Sequence, residues 1–362
     1  MIRSIHAIAS PALGGAERFF ARLVSALHED GYPSMAVLRR GSKIAGIVDA
    51  GVPRVFTGMA NSIDLRTVWR MRRLVAEHRP EIVQTYLGRA TRLTRVPTAS
   101  DTIHLARLGG YYRPRSYRHA DAWVANTRGI RDYLVEQGFP AERVFHISNF
   151  AEAPEPATDA APAREARERL GIPDDARMLF ALGRFRPSKG FVELLDAFAL
   201  LPREVDGRPL RLVIAGDGDL RDELRAQAQR LGIADRVSWT GWLVEPAPYY
   251  AAADLFICPS RMEHLGNVIL EAWGRNVPVL STRTRGAEEL MVDGETGMLV
   301  AAGDARALHD GILRALHAGE PELRRLADAG LHTVRTRHSK EAIVAAYREL
   351  YAHLVTLGRR RR

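Results

Sequence analysis

Cysteine is almost missing from this chain of 362 residues: Cys258 stands alone, inside an apolar run. A single thiol cannot close an internal disulfide, so a reducing, cytosolic setting is expected. Long apolar runs are missing too, and none approaches the roughly 18 residues of a membrane span. The opening Met-Ile-Arg-Ser-Ile-His-Ala-Ile is too short and too polar for a signal peptide or an anchor. There is no zinc-ligand spacing and no recognisable nucleic-acid-binding motif, so no nucleic-acid partner is expected. Internal repeats are absent. The apolar fraction of 46% is that of a globular protein. The length suits two domains of ordinary size.

Charge is abundant but uneven. Residues 1–150 carry 22 Lys and Arg against 12 Asp and Glu, whereas the remainder carries 30 against 31. The first part therefore favours something anionic: nucleic acid, a lipid headgroup or an acidic glycan. A helix expected over 64–78 sets Val68, Met71 and Val75 on one face and Arg66, Arg70 and Arg73 on the other. That basic face suits either plain solvation or an anionic membrane. The segment from Leu108 to Arg118 mixes Tyr111, Tyr112 and Tyr117 with Arg113, Arg115 and Arg118. Such residues stack on sugar faces and pair with phosphates, and they also occur in ordinary exposed loops.

Short apolar runs alternate with helical patterns through the chain. Ile5–Ile8, Ser34–Leu38, Glu81–Thr85, Thr102–Arg107 and Asp121–Asn126 read as strands before residue 150. Ala151 to Ala163 is rich in Pro and Ala, lacks periodicity and reads as a linker. A second series follows with Met178–Leu182, Leu210–Ala215, Asp254–Cys258 and Val279–Thr282. Ser339 opens a final helix with Ile343, Tyr347, Leu350 and Leu354 on one stripe.

Several strand-to-helix turns carry chemistry. Ser10 to Arg18 holds Gly14-Gly15 before a helix expected from Phe19, where backbone can approach a phosphate closely. A plain tight turn explains the pair as well. Gly183-Arg-Phe-Arg-Pro-Ser-Lys-Gly190 sets Arg184 and Lys189 between two glycines. Arg grips a diphosphate bidentately and Lys acts on it as a point charge. The order is neither a Walker loop nor a dinucleotide fingerprint. Asp217-Gly-Asp219 invites a divalent metal, yet also fits a polar helix start. In Pro259 to Val279, Glu263 sits in a turn and Glu271 in an apolar helix, with seven residues between them. Gly266-Asn267 precedes that helix, and Asn267 is expected to cap it. Carboxylates on either side of a bound diphosphate suit sugar and ribose hydroxyls, because they only accept hydrogen bonds. Two glutamates alone read more simply as a solvated helix former and a surface turn residue.

The whole pattern, from Pro-Ser-Arg-Met-Glu through His-Leu-Gly and Glu-Ala to Val-Pro-Val, resembles the E-x7-E signature of retaining family 4 glycosyltransferases. The Gly183–Gly190 turn resembles the same family. The resemblance implies the α/β GT-B fold, two Rossmann-like doubly wound domains facing across a cleft. It implies an acceptor-binding domain over 1–150, a linker over 151–165, a nucleotide-sugar-binding domain over 166–338, and a helix and basic tail over 339–362 crossing back. Hexosyl transfer with retention is the implied activity, in envelope lipopolysaccharide or exopolysaccharide synthesis. A nucleotide-sugar binder without turnover, or an epimerase or phosphorylase on this fold, is the alternative.

The resemblance also distributes roles. Arg184, Lys189 and Glu263 are the catalytic candidates, the first two neutralising the leaving diphosphate. Gly14, Gly15, Gly266, Asn267, Val268 and Glu271 join them around the donor, with Glu271 on the ribose. Arg107, Tyr111, Tyr112 and Arg113 are acceptor candidates. Arg107 stands where the family usually carries a histidine. No metal or other cofactor is implied. The expected partners are a nucleotide-diphosphate sugar, an anionic or lipid-linked glycan, and an anionic membrane on whose cytoplasmic face the protein rests.

Overall fold

The computed structural model describes residues 3–11, 13–154 and 161–360. Two compact units divide the chain, one formed by residues 1–150 with 340–362 and the other by residues 151–339.

The first unit runs β1 (Ser4–Ile8), α1 (Gly15–Glu29), β2 (Ser34–Arg39), β3 (Arg54–Thr57), α2 (Leu65–His78), β4 (Ile82–Tyr86), α3 (Leu87–Leu93), β5 (Ile103–Leu108), β6 (Ala122–Ala125), α4 (Arg128–Glu136) and β7 (Val144–His146). The sheet is parallel, in the order β3-β2-β1-β4-β5-β6-β7. Every residue of β1, β4, β5 and β6 is buried. Helices covering both faces of a parallel sheet require this. Helix α1 starts at Gly15, four residues ahead of the expected Phe19, because extended Gly14 serves as its N-cap. Asp64 caps α2 by accepting the Thr67 N–H at 3.0 Å, and Thr127 caps α4 by accepting the Ile130 N–H at 3.2 Å.

The second unit runs α5 (Ala161–Arg169), β8 (Arg177–Leu182), α6 (Phe191–Leu200), β9 (Glu204–Val205), β10 (Arg208–Ala215), α7 (Arg221–Arg230), β11 (Val237–Gly241), α8 (Ala247–Ala252), β12 (Leu255–Cys258), α9 (Asn267–Gly274), β13 (Val279–Thr282), α10 (Arg285–Leu290), β14 (Met298–Val300), α11 (Ala305–His317) and α12 (Gly319–Arg337). Its parallel sheet is ordered β11-β10-β8-β12-β13-β14, with β9 antiparallel to the start of β10. The linker expected over 151–165 needs correcting at its end. Its residues 155–160 lie outside the described residues, but from Ala161 the chain is helical. Arg167 fastens that helix, donating to the Ala252 carbonyl at 2.9 Å and to Asp254 at 2.8 Å.

Helix α13 (Lys340–Leu357) belongs to the first unit. Ile343, Tyr347, Leu350, Tyr351 and Leu354 are buried along it. Burying such a side chain fully contributes about 1.5–3 kcal/mol, which outweighs the surface ion pairs alongside. Those pairs are Lys340 with Glu29 at 2.5 Å and Arg348 with Asp30 at 3.0 Å. The tail that follows is fixed in place. Arg359 donates to the Pro97 and Ser100 carbonyls at 2.6 and 2.9 Å, and Arg360 to the Arg118 carbonyl at 2.7 Å. Arg361 and Arg362 lie outside the described residues.

A buried polar chain ties this helix to the sheet. The Tyr351 hydroxyl donates to Gln84 Oε1 at 2.7 Å, and Gln84 Nε2 donates to the Tyr86 hydroxyl at 2.6 Å. His6 Nδ1 lies 3.0 Å from the Tyr86 hydroxyl, and His6 Nε2 lies 3.1 Å from Ser4 Oγ. Burial pushes the His6 imidazole down to about 3. It therefore stays neutral in the fold while an unfolded imidazole protonates near 6.5. Stability carried by this difference is complete above pH 6.5 and is lost as pH falls toward 3. Urea melts should show this as a slope approaching about 1.4 kcal/mol per pH unit between pH 6 and 4. His6→Asn should flatten that slope. An unaltered slope in the variant would assign the acid sensitivity elsewhere.

Candidate active site

Ligands of open parallel sheets sit beyond the carboxyl ends of the strands, where the strand order reverses. In the second unit that point lies between β8 and β12. The turn after β8 is Gly183–Gly190, and the turn after β12 is Pro259–Gly266. Two segments far apart in sequence thus meet at one edge.

Backbone stitches them together. The Arg261 and Met262 N–H groups donate to the Ser188 carbonyl at 3.0 and 3.1 Å. Gly190 closes the contact. Its φ is +68°, and a Cβ there would stand 1.9 Å from the Pro259 carbonyl oxygen. No other residue type fits both the conformation and the space. A second layer lies behind: the Phe185 N–H donates to the Asp217 carbonyl at 3.0 Å, and the Leu220 N–H to the Phe185 carbonyl at 3.1 Å. Asp217 Oδ1 accepts the N–H of the adjacent Gly218 at 2.9 Å, a contact within the turn itself. Among the described residues no group of three or more His, Cys, Asp or Glu is arranged to hold a metal.

Stitching brings Lys189 and Glu263 together. Lys189 Nζ forms an ion pair with Glu263 Oε1, and Ser260 Oγ donates to the same oxygen at 2.9 Å. The Ser260 carbonyl accepts from Thr282 Oγ1, so β13 fixes the turn as well. Arg261 pairs with Glu193 of α6, burying that carboxylate behind the loop. His264 is half-buried beside the pair. Burial, with Lys189 and Arg285, moves its imidazole below its ordinary value against the pull of Glu263. It is a neutral group at physiological pH. Burial pushes the Cys258 thiol up, with Glu263 adding to the effect, so it is no nucleophile.

Helix α9 begins where the carboxylates need it. Asn267 was expected to cap, but Gly266 holds the N-cap in a left-handed conformation and Asn267 is the first helical residue. A left-handed turn lets the chain enter the helix directly from Leu265, which a capping Asn in extended conformation would not. Gly266 is buried, while Asn267 and Val268 are half-buried at the helix start. Glu271 lies one turn further and accepts from the Tyr250 hydroxyl at 3.2 Å. Burial raises the Tyr250 hydroxyl well above its usual value, and Glu271 adds to it, so Tyr250 remains a donor. Arg184 is half-buried on the turn after β8. Sequence reasoning missed Tyr250, Ser260 and Glu193. Their role lies in contacts across the fold, and no local spacing announces it.

The acceptor candidates fall on the first unit. The donor candidates Gly14 and Gly15 are on this unit too, at the start of α1 after β1. Arg107 is on β5 and only 3% exposed. Its guanidinium donates to the Tyr347 hydroxyl at 3.0 Å and to Asn149, and stands 3.9 Å over the Phe19 ring. Tyr117 is buried and stacks on Tyr112 at 6.1 Å, so it belongs to the core and not to an open loop. Tyr111 meets Tyr133 edge-on at 5.3 Å. Arg113 and Arg115 are exposed.

The family model of glycosyl transferases group 1 matches residues 162–332, and that of Glycosyltransferase Family 4 matches residues 13–153. Two Rhizobium meliloti proteins, the lipopolysaccharide core biosynthesis glycosyltransferases LpsE and LpsD, are 35% and 34% identical to this chain. The matches cover 94% and 93% of this chain and 96% and 95% of theirs. The chain belongs to the family 4 glycosyltransferases. Among solved structures, Anabaena HepE in complex with UDP and glucose superposes with a TM-score of 0.83 at 20% identity, covering 98% of this chain and 100% of that one. A glycosyltransferase from Rickettsia africae gives 0.84 at 18%, covering 97% and 98%. This likeness bears on the fold, and the fold of the glycosyltransferase is GT-B, with two Rossmann-like units. The β8–β12 edge lies within the residues matched by the group 1 model.

Proposed function

We propose that this glycosyltransferase moves a hexosyl group from a nucleotide-diphosphate sugar to a lipid-linked glycan of the bacterial envelope, with retention at the anomeric carbon. The observation that carries the proposal is the Lys189–Glu263 ion pair, which joins the two signature turns at the switch point of the second sheet. LpsE and LpsD support lipopolysaccharide core assembly as the setting. The UDP-bound HepE structure supports a nucleotide-sugar donor.

In this scheme Arg184 and Lys189 stabilise the charge that develops on the departing diphosphate, and the α9 amides at Gly266 to Val268 assist. Glu263 holds donor-sugar hydroxyls while steadying Lys189. Glu271, oriented by Tyr250, accepts from the ribose hydroxyls. A departing phosphate oxygen takes the acceptor proton, so no protein base is assigned. The scheme calls for no metal and no other cofactor. On the acceptor side, exposed Arg113 with Tyr111 and Tyr112 offers cation and ring to a glycan, and buried Arg107 positions β5. The excess of cations in residues 1–150 selects an anionic acceptor. No helix among the described residues is long and apolar enough to cross a membrane. Work at the cytoplasmic face, on an acceptor held in the bilayer, is the arrangement we favour.

Arg184→Ala and Lys189→Ala are each expected to lower turnover about 10²-fold, by analogy with lost charge-stabilising donors. Steady-state nucleotide release with envelope extract as acceptor measures this, and parental rates in both variants would move the donor site elsewhere. Glu271→Gln should weaken nucleotide-diphosphate binding at least about tenfold in titration calorimetry, since a ribose hydroxyl then meets a neutral amide. Equal affinity would remove Glu271 from the ribose. Chelator should leave the rate unchanged. Loss of activity restored by manganese would shift the scheme to Asp217 and Asp219.

A further inference from the structure

Three large apolar side chains crowd one end of α2 in the open. Ile63, Leu65 and Trp69 are 72%, 78% and 61% exposed. Leu65 and Trp69 are four apart on the helix, so they share a face, and Ile63 precedes the Asp64 cap. Arginines border them. Arg66, Arg70 and Arg73 run along the adjoining stripe, and Arg72 continues the Leu65–Trp69 line one turn on. Residues 61–79 hold five arginines against two acids. Arg73 stands 5.7 Å over the Trp69 ring and pairs with Glu77 at 2.5 Å. Arg66, Arg70 and Arg72 make no ion pair among the described residues.

Nothing about this end is frayed. Thr67, Met71, Leu74 and Val75 bury the opposite face. Thr67 Oγ1 donates to Asp64 at 2.8 Å and accepts the Met59 N–H at 3.0 Å. The exposed side chains are therefore held out on a rigid support. The support stands at the carboxyl edge of the first sheet. The Thr57 carbonyl ending β3 accepts the Arg40 N–H at 2.8 Å, and Arg89 donates to the Met59 carbonyl at 3.3 Å. Two more cations thus flank the same loop.

We infer that Ile63, Leu65 and Trp69, with the arginines around them, form a docking surface for an anionic lipid bilayer. A soluble polyanion would use the arginines and leave the apolar side chains in water. A protein partner would bury the apolar centre but would also have to set an acidic patch of its own against five arginines. A lipid surface uses both at once. Trp and aliphatic groups enter the headgroup boundary while guanidinium groups meet phosphates, and Trp is favoured at that depth. The inference deepens the function proposed above and rests on it in one respect, that docking presents the sheet edge to an acceptor held in the lipid.

Sedimentation of the full chain with vesicles tests it, without donor or acceptor. The chain should bind vesicles of phosphatidylglycerol and phosphatidylcholine and not vesicles of phosphatidylcholine alone. Leu65→Ser with Trp69→Ser should weaken binding at least about tenfold, and Arg66→Gln with Arg70→Gln should do likewise. Because Leu65 and Trp69 pack on little, their double variant should keep the parental melting temperature and UDP affinity. Failure of the parent to bind anionic vesicles overturns the inference. So does full binding by the Leu65→Ser/Trp69→Ser variant, which would reduce the contact to general electrostatic attraction with no part for the apolar side chains. A parent that binds vesicles but no nucleotide diphosphate would instead count against the donor site alone.

Discussion

The Gly190 backbone lies so close to the Pro259 carbonyl that no side chain fits between them, and the donor edge of the second unit depends on that approach. Through it the turn after β8 and the turn after β12 become one surface, with Ser188 accepting two amides from the far turn. Lys189 and Glu263 are neighbours only because of this contact. Their ion pair is partly buried, so the cost of desolvating both charges offsets much of their attraction. Its use is orientation: the ammonium is held at the edge by a carboxylate that Ser260 fixes in turn.

The same logic recurs behind the edge. Arg261 draws Glu193 inward, Thr282 holds the Ser260 carbonyl, and Tyr250 supports Glu271 from beneath. Charged side chains at the site thus rest on partners that are themselves buried, which keeps their geometry when a ligand exchanges for water. Burial is the first cause of both shifts, downward for the half-buried His264 and upward for the fully buried Tyr250, and each shift favours the neutral form.

The first unit solves a different problem. Its polar core, from Tyr351 through Gln84 and Tyr86 to His6, joins a helix from the end of the chain to strands from its beginning. Arg107 takes part in that joining through Tyr347. Every polar group in such a chain needs its partner, because an unpaired one in low dielectric costs about 1–3 kcal/mol. Helix α13 supplies the partners of Gln84 Oε1 and of the Arg107 guanidinium in that chain. Its basic character is left to the surface, on α2 and around Arg113.

Local pattern determined a good deal. Apolar runs of four to six residues between helical segments specified parallel strands, because only strands buried on both faces tolerate such runs. Glycines and cations after a strand marked Gly183–Gly190, and the two glutamates marked Pro259–Val279, since turn geometry and charge are properties of neighbouring residues. Tertiary structure alone decided what depends on distance in space. It set Lys189 against Glu263, 74 positions apart, and turned Arg107 and Tyr117 inward where sequence suggested contact with a ligand. It gave the α9 cap to Gly266, because the chain had to turn sharply out of Leu265. It also left Leu65 and Trp69 in the open on a helix whose other face was taken. Periodicity tells which residues share a face, and only the packing of neighbours tells which face is covered.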